Sequence, residues 1–171
     1  MEKNYVVMTD SSADLNPALE QELGVDIIPL SVNCGDRTFL DYPDEREIKT
    51  SEFYGMLRSG ANAKTAAANV ETFLTAMSRH LEQGKDVLYL GFSSGLSSTY
   101  SASEIAAQEL RERYPERKVL TVDTLCASMG QGLLAHYALN NRDAGMSLAE
   151  NTAWLEENKG KVCHWFTVFD L

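Results

Sequence analysis

Short apolar runs alternate with segments of helical periodicity along almost the whole of this 171-residue chain. That alternation restricts the fold more than any other feature. A strand that leads into a helix and then into another strand is the βαβ unit of a mainly parallel sheet. Tyr5–Met8 is the first apolar run, and Asn16-Pro17 then pairs an N-capping residue with proline at the first helical position. Gly24 is the stop of that helix. Val25–Val32 reads as one second strand, with Pro29 marking an edge position or a bulge. Residues 33–48 read as irregular and acidic, apart from a short strand at Phe39-Leu40, and Thr50 or Ser51 caps a short helix ending near Ser59-Gly60.

Residues 61–68, Ala-Asn-Ala-Lys-Thr-Ala-Ala-Ala, read as a small-residue linker. Asn69 caps a helix in which Val70, Phe73, Leu74, Met77 and Leu81 recur at helical spacing, with Gly84 as its stop. A strand over Asp86–Leu90, a helix from 98 to 113 and a strand over Lys118–Asp123 follow. A helix over 127–141 comes next, then a capping box, Ser147-Leu148-Ala149-Glu150, opening a helix to Asn158. Val162–Val168 is a last β-like run. The fold class is therefore α/β, a mainly parallel sheet with helices on both faces.

Ligands of such sheets lie beyond the carboxyl ends of the strands. Three hydroxyl-rich turns, at 9–12, 93–99 and 123–128, are expected on that edge. The stretch Gly91-Phe92-Ser93-Ser94-Gly95-Leu96-Ser97-Ser98-Thr99-Tyr100 carries the strongest signal. It joins a strand to a helix start, where unpaired N–H groups, the helix dipole and hydroxyls favour an anion. A ligand with a carboxylate or phosphate end is expected there. The formal net charge of −10 argues against nucleic acid, which needs clustered Lys and Arg. Local donors still outweigh that global field at short range.

The same stretch fits G-x-S-x-G, the pattern of a hydrolase nucleophile elbow, at Gly91–Gly95. The downstream histidines are His136, within a helical pattern, and His164, within the last β-like run, and neither position suits a base for Ser93. Serine esterase chemistry is thus the lesser reading, and no catalytic residue is assigned. Thr9-Asp10-Ser11-Ser12 reads as a turn closed by its own side chains rather than a metal site. Met129, Leu133, Leu134 and Tyr137 read as core, and the acidic stretch 41–47 as solvated surface. Cys34, Cys126 and Cys163 are widely spaced and odd in number, so neither a disulfide framework nor a zinc site is expected. The early polar residues exclude a signal-peptide apolar region, and no apolar run nears the roughly 18 residues of a membrane span. A cytoplasmic location is expected.

The motifs together resemble the DegV family. Thr9-Asp10-Ser11-Ser12-Ala13-Asp14-Leu15 is similar to its T-D-S-S-x-D-L, and Ile27–Val32 to its V-x-P-L-x-V. Ser51–Tyr54 is similar to S-x-x-F-Y, and Ser93–Tyr100 to S-S-G-L-S-G-T-Y with Ser98 in place of glycine. Val122-Asp123-Thr124 and Ala127–Gly132 resemble V-D-S and A-S-x-G-x-G. The family's T-S-Q-P-S stands here as Thr65-Ala66-Ala67-Ala68-Asn69, which keeps only the threonine of its polar pair. The family's L-K-x-G-G-R-I segment and second α/β domain have no counterpart, so residues 1–171 are expected to form the N-terminal domain alone.

The resemblance implies a non-enzymatic, cofactor-free protein that holds a long-chain fatty acid and presents its carboxylate to a fatty acid kinase. It places the carboxylate near Thr65 and Ser94, with Ser93, Gly95, Ser97, Ser11 and Ser128 in support. It assigns a histidine and an arginine of the full site to the missing domain. A domain ending on an apolar run without a cover is also expected to pair with another copy of itself. A ligand-free, self-associating fragment is accordingly a third reading.

Overall fold

The computed structural model describes residues 5–165 and residue 167. Four parallel strands form the main sheet: β1 (Tyr5–Asp10), β2 (Asp26–Ile28), β6 (Asp86–Gly91) and β7 (Val119–Asp123). Their spatial order is β2-β1-β6-β7. The chain steps outward from β1 to β2 and later returns to β1's other side with β6. The order therefore reverses between β1 and β6, and the carboxyl ends of those two strands flank the crevice where such sheets take ligands. A second, antiparallel sheet, β4-β3-β5, is built from β3 (Ser31–Cys34), β4 (Arg37–Leu40) and β5 (Ala63–Ala66).

Side chains alternate across the main sheet and split the core in two. Val7, Leu88, Leu90 and Val122 face α5 (Met129–Asp143) and α6 (Leu148–Asn158), with Leu19 and Leu23 of α1 (Pro17–Leu23) packed against them. Met8, Val87, Tyr89 and Val119 face α3 (Val70–Glu82) and α4 (Thr99–Arg113). Helices thus cover both faces, as the alternation predicts. Phe73 and Met77 of α3 are fully buried, and each such side chain contributes about 1.5–3 kcal/mol by leaving water. The expected caps form: Asn16 accepts from Leu19 N, Asn69 from Thr72 N, and Ser147 and Glu150 make both halves of the capping box.

Several boundaries differ from the sequence expectation. The predicted strand 25–32 is two strands in two sheets. Pro29 has no N–H to donate, and the ladder breaks there, between β2 and β3. The expected linker 61–68 contains β5, whose small residues pair in antiparallel register with β3, Thr65 opposite Val32. α2 (Thr50–Arg58) is preceded by Lys49 at its N-cap, without a side-chain cap, rather than by Thr50 or Ser51. α5 starts at Met129 and runs to Asp143, two residues later at each end than expected. Val162–Trp165 is not a strand, and residues 166 and 168 of that predicted run lie outside the described residues. Among the described residues, no helix is long and apolar enough to cross a membrane.

Candidate functional site

The edge is built outward from Asp10, the last residue of β1, which is wholly buried at the point where the strand order reverses. Its Oδ2 accepts from the Tyr89 hydroxyl at 2.6 Å and from Phe92 N at 3.3 Å. Its Oδ1 accepts from Ser12 N at 3.1 Å and also from the Ser12 hydroxyl. Four donors from two neighbouring strand ends meet on one carboxylate. Burial, followed by the negative charge of Asp10, pushes the Tyr89 hydroxyl well above the usual tyrosine range, so it stays a donor. Behind this knot, Gln131 of α5 donates to Thr9 Oγ1 at 2.9 Å, and Thr9 donates to Leu90 O at 2.9 Å. The turn after β1 is therefore closed by its own side chains, as its residue types predict.

The turn after β6 begins at Gly91, which lies against two tyrosines. A Cβ there would stand 2.8 Å from Tyr89 Cε1 and 2.9 Å from Tyr100 Cδ2, so only glycine fits. The amides from Phe92 to Ser97, and that of Thr99, are engaged by the protein itself. Phe92 N goes to Asp10, Ser93 N to Cys126 O at 3.0 Å, and Ser94 N to Asp123 Oδ1 at 3.2 Å. Gly95 N goes to Ser93 Oγ at 3.3 Å, Leu96 N and Ser97 N to Ser93 O, and Thr99 N to Ser97 Oγ at 3.1 Å. The turn itself thus spends its amides on its own shape, whereas Ser98 N, Tyr100 N and Ser101 N at the start of α4 make no hydrogen bond among the described residues, as expected of a helix start. What this edge leaves for a ligand are hydroxyls and those helix-start amides.

The seven residues singled out from the sequence divide accordingly. Ser94 is exposed and its hydroxyl makes no hydrogen bond among the described residues. The hydroxyl of Thr65, on exposed β5, is likewise unengaged, as is that of half-buried Ser128 at the start of α5. Ser93 is buried and receives Gly95 N; Gly95 itself is exposed. Ser97 caps the first turn of α4 and contacts Thr99 Oγ1 at 2.9 Å. Ser11 is buried and accepts from Leu30 N at 3.1 Å, which fastens the small sheet to the main one.

The elbow geometry of a hydrolase is missing at Ser93. The non-glycine residues with positive φ among the described residues are Asp14, Glu45, Leu125 and Ser128. The strained serine between a strand and a helix is Ser128, at φ 50° and ψ −134°. It follows Leu125, at φ 55°, in the turn after β7. That turn is sewn to the β6 turn: Thr124 Oγ1 donates to Gly91 O at 2.7 Å and Thr124 N to the same oxygen at 3.2 Å. Burial, and then the charge of Asp123, push the Cys126 thiol up, away from reactivity.

Exposed apolar side chains stand in the same turns as Ser94 and Ser128. Leu96 is 60% exposed, Leu125 55% and Met129 51%. Met129, Leu133 and Tyr137 form an outward stripe on α5, whereas Leu134 alone of the expected group is core. A cavity of about 240 Å³ opens beside the β1 turn, lined by Ser11, Leu15, Val32, Phe39, Ile48 and Phe53 among others. The acidic stretch 41–47 forms its rim through Asp41 and Glu45. Among the described residues no group of three His, Cys, Asp or Glu is arranged to hold a metal ion. Asp10 and Asp123 read from the sequence only as local turn-closing and capping residues; their bonds to Phe92 N and Ser94 N of the β6 turn were missed. The available signal was an aspartate ending each of two parallel strands directly before a hydroxyl-rich turn.

The DegV family model matches residues 4–171. A DegV domain-containing protein of Clostridium perfringens (strain 13 / Type A) is 41% identical over 169 residues, covering 99% of this chain and 58% of its own. A DegV family protein from Thermus thermophilus, described for its fatty acid binding, shares the fold with a TM-score of 0.79 at 33% identity. The match covers 92% of this chain and 54% of that one. A Thermotoga maritima protein described as revealing fatty acid binding function gives a TM-score of 0.79 at 31% identity, over 92% of this chain and 55% of its own. This chain spans a little over half the length of the relatives it matches.

Proposed function

The chain belongs to the DegV family, and on that premise we propose that it forms one wall of a binding site for a long-chain fatty acid. The carboxylate lies against the hydroxyls of Ser94 and Thr65, and the acyl chain leaves over the apolar side chains beside them. One observation carries this reading: the unengaged hydroxyls of Ser94 and Ser128 lie in the joined turns after β6 and β7, which also carry Leu96 and Leu125 and lead into Met129, all more than half exposed. A polar spot bordered by open apolar surface suits an amphiphile with one small anionic end. The fatty acid binding described for the relatives at 33% and 31% identity supports the same assignment.

The energetics divide the work. An acyl chain of about 14 methylenes, at ~0.8 kcal/mol each, gains on the order of 11 kcal/mol when buried, before the costs of binding. A hydroxyl donating to a carboxylate adds about 1.5–3 kcal/mol. The apolar wall sets affinity and the hydroxyls set orientation. The finer proposal is that a fatty acid kinase takes the presented carboxylate as its substrate; the exposure of Ser94 and Thr65 supports it. Ser93 and Ser97 shape the turn in this reading, and Ser11 holds the small sheet; none of the three needs to touch the ligand.

Native mass spectrometry of the intact protein tests the binding. Oleate is expected to be retained by the wild type and largely lost from the double variant Ser94→Ala, Thr65→Ala. Equal retention by both proteins contradicts the head-group assignment. Formation of an acyl phosphate when the loaded protein is mixed with a fatty acid kinase and ATP tests the finer step.

A further inference from the structure

We propose that Asp123 is a positioning residue for the head-group turn, an inference that rests on the fatty-acid reading above. Asp123 ends β7, and one oxygen of its carboxylate accepts from Ser94 N at 3.2 Å and from Leu125 N at 3.1 Å. One acceptor thus bridges two turns that come from two strands. Ser94 is held by its amide, and its hydroxyl is left free and exposed. Leu125 is held at φ 55°, a conformation that a leucine keeps only where the surroundings over-determine it. Thr124 supplies the rest of that restraint by receiving Cys126 N at 3.2 Å and bonding Gly91 O.

The bridge has a second consequence. The amide of Ser94 would otherwise be the natural donor to an anion, and it is spent on the protein's own carboxylate. A fatty acid carboxylate at the Ser94 hydroxyl therefore has a like charge behind it, well inside the Debye length. Asp123 orients the hydroxyl and at the same time weakens the hold on an anionic head. Such an arrangement suits a ligand that is bound by its tail and must be released or handed on by its head. A plain turn-closing aspartate would serve Leu125 two residues on and leave ligand affinity untouched.

The two roles separate by substitution. Asp123→Asn keeps an oxygen acceptor for both amides and removes the charge, whereas Asp123→Ala removes both. Affinities of the intact protein for oleate and for oleyl alcohol, which has the same chain and no charge, are measured by calorimetry, with amide exchange at Ser94 followed by NMR. D123A is expected to bind oleyl alcohol roughly tenfold more weakly, the scale of one lost hydrogen bond, to bind oleate a few-fold more weakly because the like charge is lost as well, and to exchange the Ser94 amide faster. D123N is expected to bind oleate as tightly as the wild type or a few-fold tighter, with oleyl alcohol affinity and Ser94 exchange unchanged. Oleate binding by D123N as weak as by D123A overturns the proposal, as does a D123A protein with wild-type affinity and exchange. If D123A does not fold, weakened oleate binding by D123N overturns the proposal and unchanged or tighter binding supports it. A wild type that binds neither ligand defeats the fatty-acid reading; faster Ser94 exchange in D123A then still supports the tether, and unchanged exchange rejects it.

Discussion

The turns after β1 and β6 are made of the same residue types and are used in opposite ways. In the β1 turn, Thr9 and Asp10 are fully buried and Ser11 is 6% exposed. Its polar groups bond to one another, to Tyr89 and to Gln131. In the β6 turn, Ser94, Gly95, Leu96 and Ser98 are exposed, and the hydroxyls of Ser94 and Ser98 have no partner among the described residues. The difference comes from the amides, not from the hydroxyl content. Asp10 and Asp123 collect the N–H groups of Phe92 and Ser94, so the β6 turn has no need of its own serine side chains at those points. A hydroxyl-rich turn becomes a floor or a hand according to whether nearby carboxylates have already satisfied its backbone.

The largest expected effect breaks the floor. Asp10→Ala strands the buried Tyr89 hydroxyl and three part-buried donors and is expected to cost about 3 kcal/mol or more of unfolding free energy, measured by urea denaturation. A cost below about 1 kcal/mol means the knot does not anchor the two turns. Gly91→Ala comes next. It drives a methyl into Tyr89 and Tyr100 and is expected to cost about 1–3 kcal/mol in the same measurement. The smallest effect has the opposite sign. Ser128→Gly relieves a positive φ in the turn after β7 and is expected to raise stability by about 1 kcal/mol, read as a higher thermal midpoint. Lower stability in that variant would mean the Ser128 side chain makes contacts worth more than the strain.

The main sheet was legible in the sequence because its strands and helices have unmixed periods. Val87, Leu88, Tyr89 and Leu90 form a continuous apolar run, as a parallel strand covered on both faces requires. In the small sheet, β3 and β4 were legible in part, within the expected strands 25–32 and 39–40, but β5 was not, because it is Ala-Lys-Thr-Ala and carries no hydrophobic pattern; backbone pairing with β3 makes it a strand. Pro29 was visible as an irregularity, but that it divides two sheets depends on β3's partners rather than on local sequence. At the candidate site, the position of the hydroxyl turn was readable and its wiring was not. Ser94 N and Asp123 are 29 residues apart, and Phe92 N and Asp10 are 82 apart, so no local pattern links them.

The contrast between the two turns is tested most directly by measuring the oleate affinity of intact Ser94→Ala and Ser12→Ala proteins by calorimetry, each at a temperature where it is fully folded. Ser12 donates to Asp10 within the floor, whereas the Ser94 hydroxyl has no partner among the described residues. Ser94→Ala is predicted to weaken oleate binding about tenfold, with stability changed by less than about 0.5 kcal/mol. Ser12→Ala is predicted to lower stability by about 1–2 kcal/mol and to leave oleate affinity unchanged. Equal loss of affinity in both variants, or none in Ser94→Ala, contradicts the division of the edge into a floor and a ligand-facing turn.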